Sequence, residues 1–288
     1  MAVRQVDVYT DFGADLASKE NLKAKYGVGP IVQIPLRVTF GDKDYTTGVD
    51  IDNDQFGKLI HETGLVPKTA AISHAVISDI YSESIEKGLK ILSIHMGDSL
   101  SATGQHARMA TRKLEEGQVK IFNSGTVSMA EGFMAIKAEQ LAAQGMDLDE
   151  IVRILDNMKE RTDLRVITPN MDFIKKSGRV PELQTKIASI FDIVPVLQID
   201  NDKVENVAKP ISMRRALDWM ANFARKNMPL EQVAIVEFEA KHNADILESK
   251  LIEIAQVSNT VIHRETLGPI TGSHGGPGTL AMVIVRAR

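Results

Sequence analysis

An alternation of strand-like and helix-like segments in the first half of the chain constrains the fold more than any other feature. Runs of β-branched residues bounded by Gly or Pro predict strands at Val3–Tyr9, Ile31–Thr39, Leu89–His95 and Gln118–Phe122. Amphipathic stretches predict helices at Asp79–Lys87, Thr103–Leu114 and Met129–Ala143. Strands that alternate with helices in this way predict an α/β domain whose mainly parallel sheet is flanked by helices.

In the second half of the chain the strand-like segments follow one another more closely. They lie at Ile193–Ile199, Lys203–Ala208, Val233–Glu239, Thr260–Thr266 and Leu280–Arg286, with helical stretches near Met213–Lys226 and Asn243–Gln256. This pattern predicts an α+β domain with a mixed or antiparallel sheet. Because 288 residues exceed the usual size of one domain, we predict two, residues 1–162 and residues 163–288.

A small insertion is predicted within the first domain. Phe40-Gly41-Asp42-Lys43 is typical of a hairpin turn, which predicts a hairpin arm near residues 37–50. The acidic run that follows, from Asp50 to Asp54, lacks the Gly and the terminal Glu of a calcium-binding loop. We therefore interpret Asp52 as the N-cap of the next helix.

Composition excludes several classes of function. The chain has no cysteine, which excludes disulfides, thiolate metal sites and cysteine nucleophiles. Its net charge is -4 and no cluster of basic residues stands out, which argues against nucleic acid or an anionic membrane surface as a partner. No apolar run approaches the roughly 18 residues that span a bilayer, so we predict no integral membrane segment and a cytoplasmic location.

Motifs for nucleotide, metal and hydrolytic chemistry are also missing from the sequence. There is no P-loop for a nucleoside triphosphate, no His-Glu-x-x-His metal motif and no Gly-x-Ser-x-Gly nucleophile elbow. The segment Gly276–Ala281 superficially matches a dinucleotide fingerprint, but a strand is predicted after it, whereas the fingerprint must open a helix. We therefore predict no catalytic residues, no metal and no cofactor in this chain.

Four stretches break the packing pattern because they are rich in glycine, small hydroxylated residues or a single ionisable group. They are Lys68–Ser73, Ser99–Gly104, Lys175–Arg179 and Gly272–Gly278. The second follows a predicted strand and opens a predicted helix, a position where backbone N–H groups and Ser or Thr hydroxyls can bind an anion. On that stretch alone, however, Ser99 or Ser101 is more readily interpreted as a helix N-cap. Likewise, His274 alone is interpreted as a buried histidine, and Arg179 as a solvated turn residue.

Together the four stretches resemble the signature of the DegV family of bacterial fatty-acid-binding proteins, and the resemblance extends along essentially the whole chain. Tyr9–Leu16 resembles the family's Asp-Ser-Thr-Ala-Asp-Leu. Lys68-Thr69 resembles the start of its Lys-Thr-Ser-x-Pro-Ser motif, and Leu100–Thr103 resembles its Leu-Ser-Gly-Thr. Phe173–Arg179 resembles Tyr-Leu-Lys-Lys-Gly-Gly-Arg, and His274–Gly278 resembles His-Thr-Gly-Pro-Gly.

The chain departs from the family pattern at four positions. Phe12 and Ala70 stand where the family has Ser, Ile72 stands where it has Pro, and Ala102 stands where it has Gly. We expect these differences to affect the shape of the pocket and its chain-length preference more than the binding chemistry.

The resemblance implies two domains with an acyl chain between them. In many members of the family, the protein is a non-catalytic subunit that presents the lipid to a separate ATP-dependent kinase subunit, which phosphorylates the carboxylate. The resemblance implies the same role for this chain. By position, Thr69 and Ser101 would bind the carboxylate of a long-chain fatty acid, and Arg179 and His274 would complete the polar mouth. Three supporting loop positions are implied as well: Thr103, Gly275 and Gly276.

Two other functions stay open at this point. A lipid carrier or sensor would bind the same ligand without a kinase. A hydrolase would use Ser101 with His274, but it would need a third group to orient the histidine, and the sequence offers no clear candidate.

Overall fold

A computed structural model describes residues 3–16, 19–179 and 193–288 of the chain. One sheet is parallel and consists of Val6–Asp11 (β1), Val32–Ile34 (β2), Lys90–His95 (β6) and Val119–Asn123 (β7). Its strands lie in the order β2-β1-β6-β7. The predicted parallel sheet is therefore confirmed, with shifts of a few residues at the strand ends.

Helices cover both faces of the parallel sheet, as predicted. On one face α3 (His74–Glu86) and α4 (Thr103–Ala110) pack against Tyr9 and Ile91. On the other face lie α5 (Met129–Ala143) and α6 (Leu148–Lys159), whose apolar residues form one cluster with those of β1 and β6. Successive strand residues point to opposite faces, which is why one sheet supplies both cores.

The second sheet is mixed, also as predicted. Its strands are Thr162–Ile167 (β8), Val196–Asp200 (β9), Lys203–Ala208 (β10), Leu230–Phe238 (β11), Ile262–Thr266 (β12) and Thr279–Arg286 (β13). They lie in the order β10-β9-β8-β13-β11-β12, and β11 with β12 is the parallel pair. Two helices, Met213–Lys226 (α8) and Lys241–Val257 (α9), cover its outer face.

The inner face of the mixed sheet packs on the α5 side of the parallel sheet. Leu164, Val236 and Val283 of the mixed sheet belong to the same apolar cluster as Val8 of β1. The core therefore continues from one sheet to the other. The division of the chain at residue 162 stays a prediction.

The hairpin arm forms a small three-stranded sheet of its own. It contains Arg37–Phe40 (β3), Lys43–Thr46 (β4) and Lys68–Ala70 (β5), in the order β4-β3-β5. The prediction of one strand over Ile31–Thr39 is wrong, because the chain leaves the parallel sheet after Ile34 and enters the arm at Arg37. Pro35 lies at the break, where it has no N–H to give to a ladder.

Three short helices that the sequence analysis did not predict complete the fold: Lys19–Tyr26 (α1), Met171–Ser177 (α7) and Pro269–Gly275 (α10). The helix Asn53–Thr63 (α2) follows the arm and is capped by Asp52, as predicted. Helix α3 begins at His74 rather than Asp79, because the side chain of Ser73 accepts a hydrogen bond from the amide of Val76.

Candidate functional site

A cavity of about 410 Å³ lies between the two sheets. Its wall is mostly apolar, and the mixed sheet supplies much of it through Leu164 and Val166 of β8, Leu197 and Ile199 of β9, and Ala281 of β13. Within each strand the lining residues alternate, because alternate side chains share one face. An apolar cavity of this size with a few polar groups is typical of a small-molecule site.

Four predicted site residues line this one cavity: Thr69, Ser101, Arg179 and His274. Thr69 ends up beside His274 because β5 of the arm lies against α10, and the Thr69 hydroxyl and His274 Nε2 are 3.1 Å apart. Two residues separated by 205 positions in the sequence are thus in direct contact. The fold therefore brings together polar side chains that the sequence analysis selected from four distant stretches.

Ser101 both lines the cavity and supports the start of α4. Its hydroxyl is 2.8 Å from the Thr103 hydroxyl and accepts a hydrogen bond from the Thr103 amide at 3.2 Å. The N-cap of α4 is Ala102 and has no side-chain cap bond, so the interpretation of Ser101 as the N-cap is wrong, although its hydroxyl bonds the first amide of the helix. Thr103 itself is buried outside the cavity wall, where it holds Ser101 in place.

Arg179 lies at the rim of the cavity, at the protein surface. Its side chain is exposed, and it donates to the carbonyl oxygen of Leu100 at 3.3 Å and to that of Ser177 at 2.8 Å. These bonds place a guanidinium next to the loop that carries Ser101. The cavity thus has a positive group at its rim and neutral hydroxyls inside.

The glycines of the fourth stretch have different roles. Gly275 lines the cavity, whereas Gly276 does not. Gly276 has φ 75°, a left-handed conformation, and a Cβ there would lie 2.6 Å from the ring of Phe173. Of the positions that depart from the family pattern, Ala70 and Ala102 line the cavity.

The imidazole of His274 is neutral at pH 7. Burial is the main cause and the positive charge of Arg179 the second, and together they lower its pKa to about 4. A neutral imidazole brings a hydrogen-bonding group to the cavity but no charge, so Arg179 is the cationic group among the four predicted residues.

The arrangement does not support a hydrolase that uses Ser101 with His274. Nε2 of His274 contacts Thr69 instead of Ser101, and Nδ1 has no partner in the described residues. No group orients the imidazole as the aspartate of a catalytic triad does. The third catalytic residue that such a hydrolase requires is therefore missing from the described residues.

Another Ser, His and Asp are arranged like a triad, but they lie in the core. His95 Nδ1 is 2.9 Å from Asp11, and its Nε2 is 2.8 Å from the hydroxyl of Ser93, which also accepts a bond from Tyr81. Ser93, His95 and Asp11 are fully buried, and none of them lines the cavity. The sequence analysis missed this network, since its members lie inside predicted strands or beside them.

The sequence analysis also missed several hydroxyls that line the cavity, among them those of Ser128 and Thr271. Both donate to the buried carboxyl of Asp15, at 2.5 Å and 2.7 Å, and the amide of Gly268 donates to it at 2.8 Å. Burial raises the pKa of Asp15 to about 7. Ser128 follows the parallel strand β7 as Ser101 follows β6, so the rule that predicted Ser101 could have found it.

Asp15 and its partner Ser128 both have an unusual backbone conformation. Asp15 has φ 49° and Ser128 has φ 61°, although neither is glycine. Such conformations cost of order 1–3 kcal/mol each and persist where surrounding bonds hold them. The bonds of Asp15 therefore fix three loops around the cavity.

Features of other kinds of site were not found in the described residues. No group of three or more His, Cys, Asp or Glu side chains is placed to hold a metal ion. Within the same residues, no helix is long and apolar enough to cross a membrane.

Comparisons with known proteins agree on one family. A family model described as "Uncharacterised protein, DegV family" matches residues 5–287. A DegV domain-containing protein of Deinococcus radiodurans is 25% identical over 284 residues, which cover 97% of this chain and 98% of the relative.

Solved structures of similar proteins share the fold. A fatty acid binding DegV family protein of Streptococcus agalactiae superimposes with a TM-score of 0.88 at 20% identity, over 99% of this chain and 100% of that one. The Fak B3 protein of the Streptococcus pneumoniae fatty acid kinase, solved loaded with linoleic acid, gives 0.82 at 16% identity, over 98% of this chain and 100% of that one.

Proposed function

The chain belongs to the DegV family, and we propose that it binds a long-chain fatty acid in the cavity between its two sheets. One observation carries the proposal: a mostly apolar cavity is lined by a few small hydroxyls, among them Thr69 and Ser101, and by the imidazole of His274, which contacts Thr69. A fatty acid has the same division between an apolar tail and a polar head. The fatty acids bound by the structural relatives support the same ligand class.

The tail of the ligand supplies the affinity. A saturated acyl chain has about 14–16 methylenes, and at ~0.8 kcal/mol for each one buried they contribute roughly 12 kcal/mol before entropic costs. A hydroxyl that donates to the carboxylate adds ~0.5–1.5 kcal/mol, or about twice that with full charge assistance. The head-group residues therefore orient the ligand, and the apolar wall holds it.

In the proposed complex Thr69 and Ser101 donate hydrogen bonds to the carboxylate. Arg179 stands at the rim, where its charge offsets the negative charges that meet when a phosphoryl group approaches. His274 lies on helix α10 and contacts Thr69.

We further propose that this chain presents the carboxylate to a separate ATP-dependent kinase subunit and has no catalytic activity of its own. Phosphoryl transfer needs a nucleotide cradle and bound Mg²⁺, and the sequence has no motif for either. The cavity can hold the carboxylate, which is the nucleophile of this reaction, in a fixed position for such a partner. The relationship to the fatty acid kinase B3 protein supports this role.

Extraction of the purified protein with organic solvent, followed by mass spectrometry, tests lipid binding. We expect a long-chain fatty acid at close to one molecule per chain. Recovery of no lipid, or of a polar metabolite instead, would overturn the proposal.

Addition of a fatty acid kinase subunit and ATP then separates presentation from simple carriage. We expect acyl phosphate to form with the wild-type protein. Ser101→Ala should keep its lipid and form acyl phosphate more slowly, whereas the exposed Ser249→Ala should behave as wild type. Lipid binding without any acyl phosphate would identify a carrier or sensor. Complete loss of lipid from Ser101→Ala would contradict the role assigned to this residue.

A further inference from the structure

Two buried polar atoms in the cavity wall have no hydrogen-bond partner, the hydroxyl oxygen of Thr279 and Nδ1 of His274. Thr279 is the first residue of β13, and only 2% of it is exposed. Among the cavity-lining side chains that the structure describes, no others have a buried atom of this kind. Nearly all buried polar groups in proteins are hydrogen-bonded, so these two atoms require an explanation.

Neighbouring hydroxyls of the same wall are already bonded within the protein. Ser128 and Thr271 donate to a buried carboxylate, and Thr168 donates to the carbonyl oxygen of Gly275 at 2.7 Å. Valine has the shape of threonine and would fill position 279 without an unpaired hydroxyl. The free hydroxyl of Thr279 therefore suits a ligand better than it suits the fold.

The two unpaired atoms belong to residues of the corner where helix α10 is followed by strand β13, and both residues line the cavity. Gly275 follows His274 directly, and a Cβ at Gly275 would lie 2.7 Å from the hydroxyl oxygen of Thr279. The amide of Thr279 also donates to the carbonyl oxygen of Gly276 at 3.3 Å. Glycine at position 275 leaves the space in which the Thr279 hydroxyl lies.

The positions of the hydrogens determine what the corner can bind. In the proposed complex Thr69 gives its only hydroxyl hydrogen to the carboxylate, so its contact with His274 needs a hydrogen on Nε2. A neutral imidazole has one N–H, which leaves Nδ1 as an acceptor. Nδ1 can accept a hydrogen bond, and the hydroxyl of Thr279 can donate one. Together they fit an oxygen that carries a hydrogen, because such an oxygen can donate to Nδ1 and accept from Thr279.

From this geometry we infer that Thr279 and His274 form a hydroxyl-binding subsite beside the carboxylate end of the cavity. The inference rests on the proposed function, because the carboxylate is the group that takes the hydrogen of Thr69. The occupant is an oxygen that carries hydrogen. It is the hydroxyl of a fatty acid substituted near its carboxyl end or, with an unsubstituted acid, a water molecule.

Calorimetric titration of delipidated protein tests the subsite, with hexadecanoic acid and its α-hydroxy and β-hydroxy derivatives as ligands. We expect the wild-type protein to bind one of the hydroxy acids about tenfold more tightly than the unsubstituted acid, which corresponds to about 1.4 kcal/mol. Thr279→Val keeps the shape but removes the hydroxyl, so it should abolish this preference. Thr279→Ser keeps the hydroxyl and should retain it.

The remaining outcomes either assign the occupant or overturn the inference. If the wild type shows no preference and Thr279→Val weakens all three acids alike, the subsite holds water. If Thr279→Val changes none of the affinities, or lowers the melting temperature of the delipidated protein, the hydroxyl is not reserved for a ligand and the inference fails. Failure of the wild-type protein to bind any of the three acids would instead overturn the proposed function.

Discussion

Within the part of the chain that the structure describes, two histidines contact a hydroxyl side chain, and their surroundings differ. In the core, His95 has partners on both ring nitrogens, Asp11 and Ser93, and all three residues are fully buried. At the cavity, His274 contacts Thr69 through one nitrogen and has no partner on the other. An imidazole and a hydroxyl thus belong to a completed network in one place and to an incomplete one in the other. The incomplete network is the one that can bind a ligand.

The largest expected effect is on stability, in the core. His95→Ala leaves the carboxyl of Asp11 and the hydroxyl of Ser93 buried without their partner, which should lower the free energy of unfolding by roughly 3–5 kcal/mol. His274→Ala should lower it by about 1 kcal/mol, because Nδ1 has no bond to lose. Denaturant unfolding of both variants measures the difference. Equal losses would contradict the distinction between the two networks.

The second prediction concerns Asp15, which is buried like Asp11 but bonded to hydroxyls of the cavity wall. Because its pKa in the folded protein is raised to about 7, the folded state binds the proton more tightly than the unfolded state does. The stability from this group is therefore present at low pH and is lost as the pH rises through about 7. Asp15→Asn removes the titration.

Unfolding free energies of the wild type and Asp15→Asn, measured at several pH values, test this sign. The wild-type value minus the variant value should fall by about 3 kcal/mol between roughly pH 5 and pH 8. A constant difference would mean that Asp15 does not titrate in this range. A rising difference would mean that its hydrogen bonds outweigh its burial.

The smallest expected effect is on ligand affinity, at the cavity. Thr69→Val keeps the side-chain shape but removes the hydroxyl that donates to the carboxylate, so it should weaken hexadecanoic acid about tenfold. Hexadecanol has no carboxylate and should bind both proteins with similar affinity. Isothermal titration with the two ligands checks this, and an equal loss for both would assign Thr69 to packing alone.

Much of the fold follows from local patterns in the sequence. Alternating strand and helix periods predict the parallel sheet, and helix α5 has its predicted bounds of Met129–Ala143. The central strand β8 was missed because Asp163 and Arg165 interrupt its apolar pattern. In the structure these two residues pair at 3.2 Å, and the guanidinium of Arg165 lies over the ring of Phe223. Tertiary packing, which a local pattern does not contain, makes this segment a strand.

The site was predictable to the extent that its residues form recognisable stretches. Thr69, Ser101, Arg179 and His274 were selected from such stretches, and all four line one cavity. Thr279 was not selected, because its distinguishing property is the lack of a hydrogen-bond partner. That property depends on residues far away in the chain and exists only in the folded structure.

A crystal structure of the protein with hexadecanoic acid tests the central claim most directly. We predict an acyl chain along Leu164, Val166 and Ala281, with its carboxylate within hydrogen-bonding distance of the hydroxyls of Thr69 and Ser101. An acyl chain bound in the opposite direction, with its methyl end at Thr69, would contradict the account. So would a ligand bound anywhere other than between the two sheets.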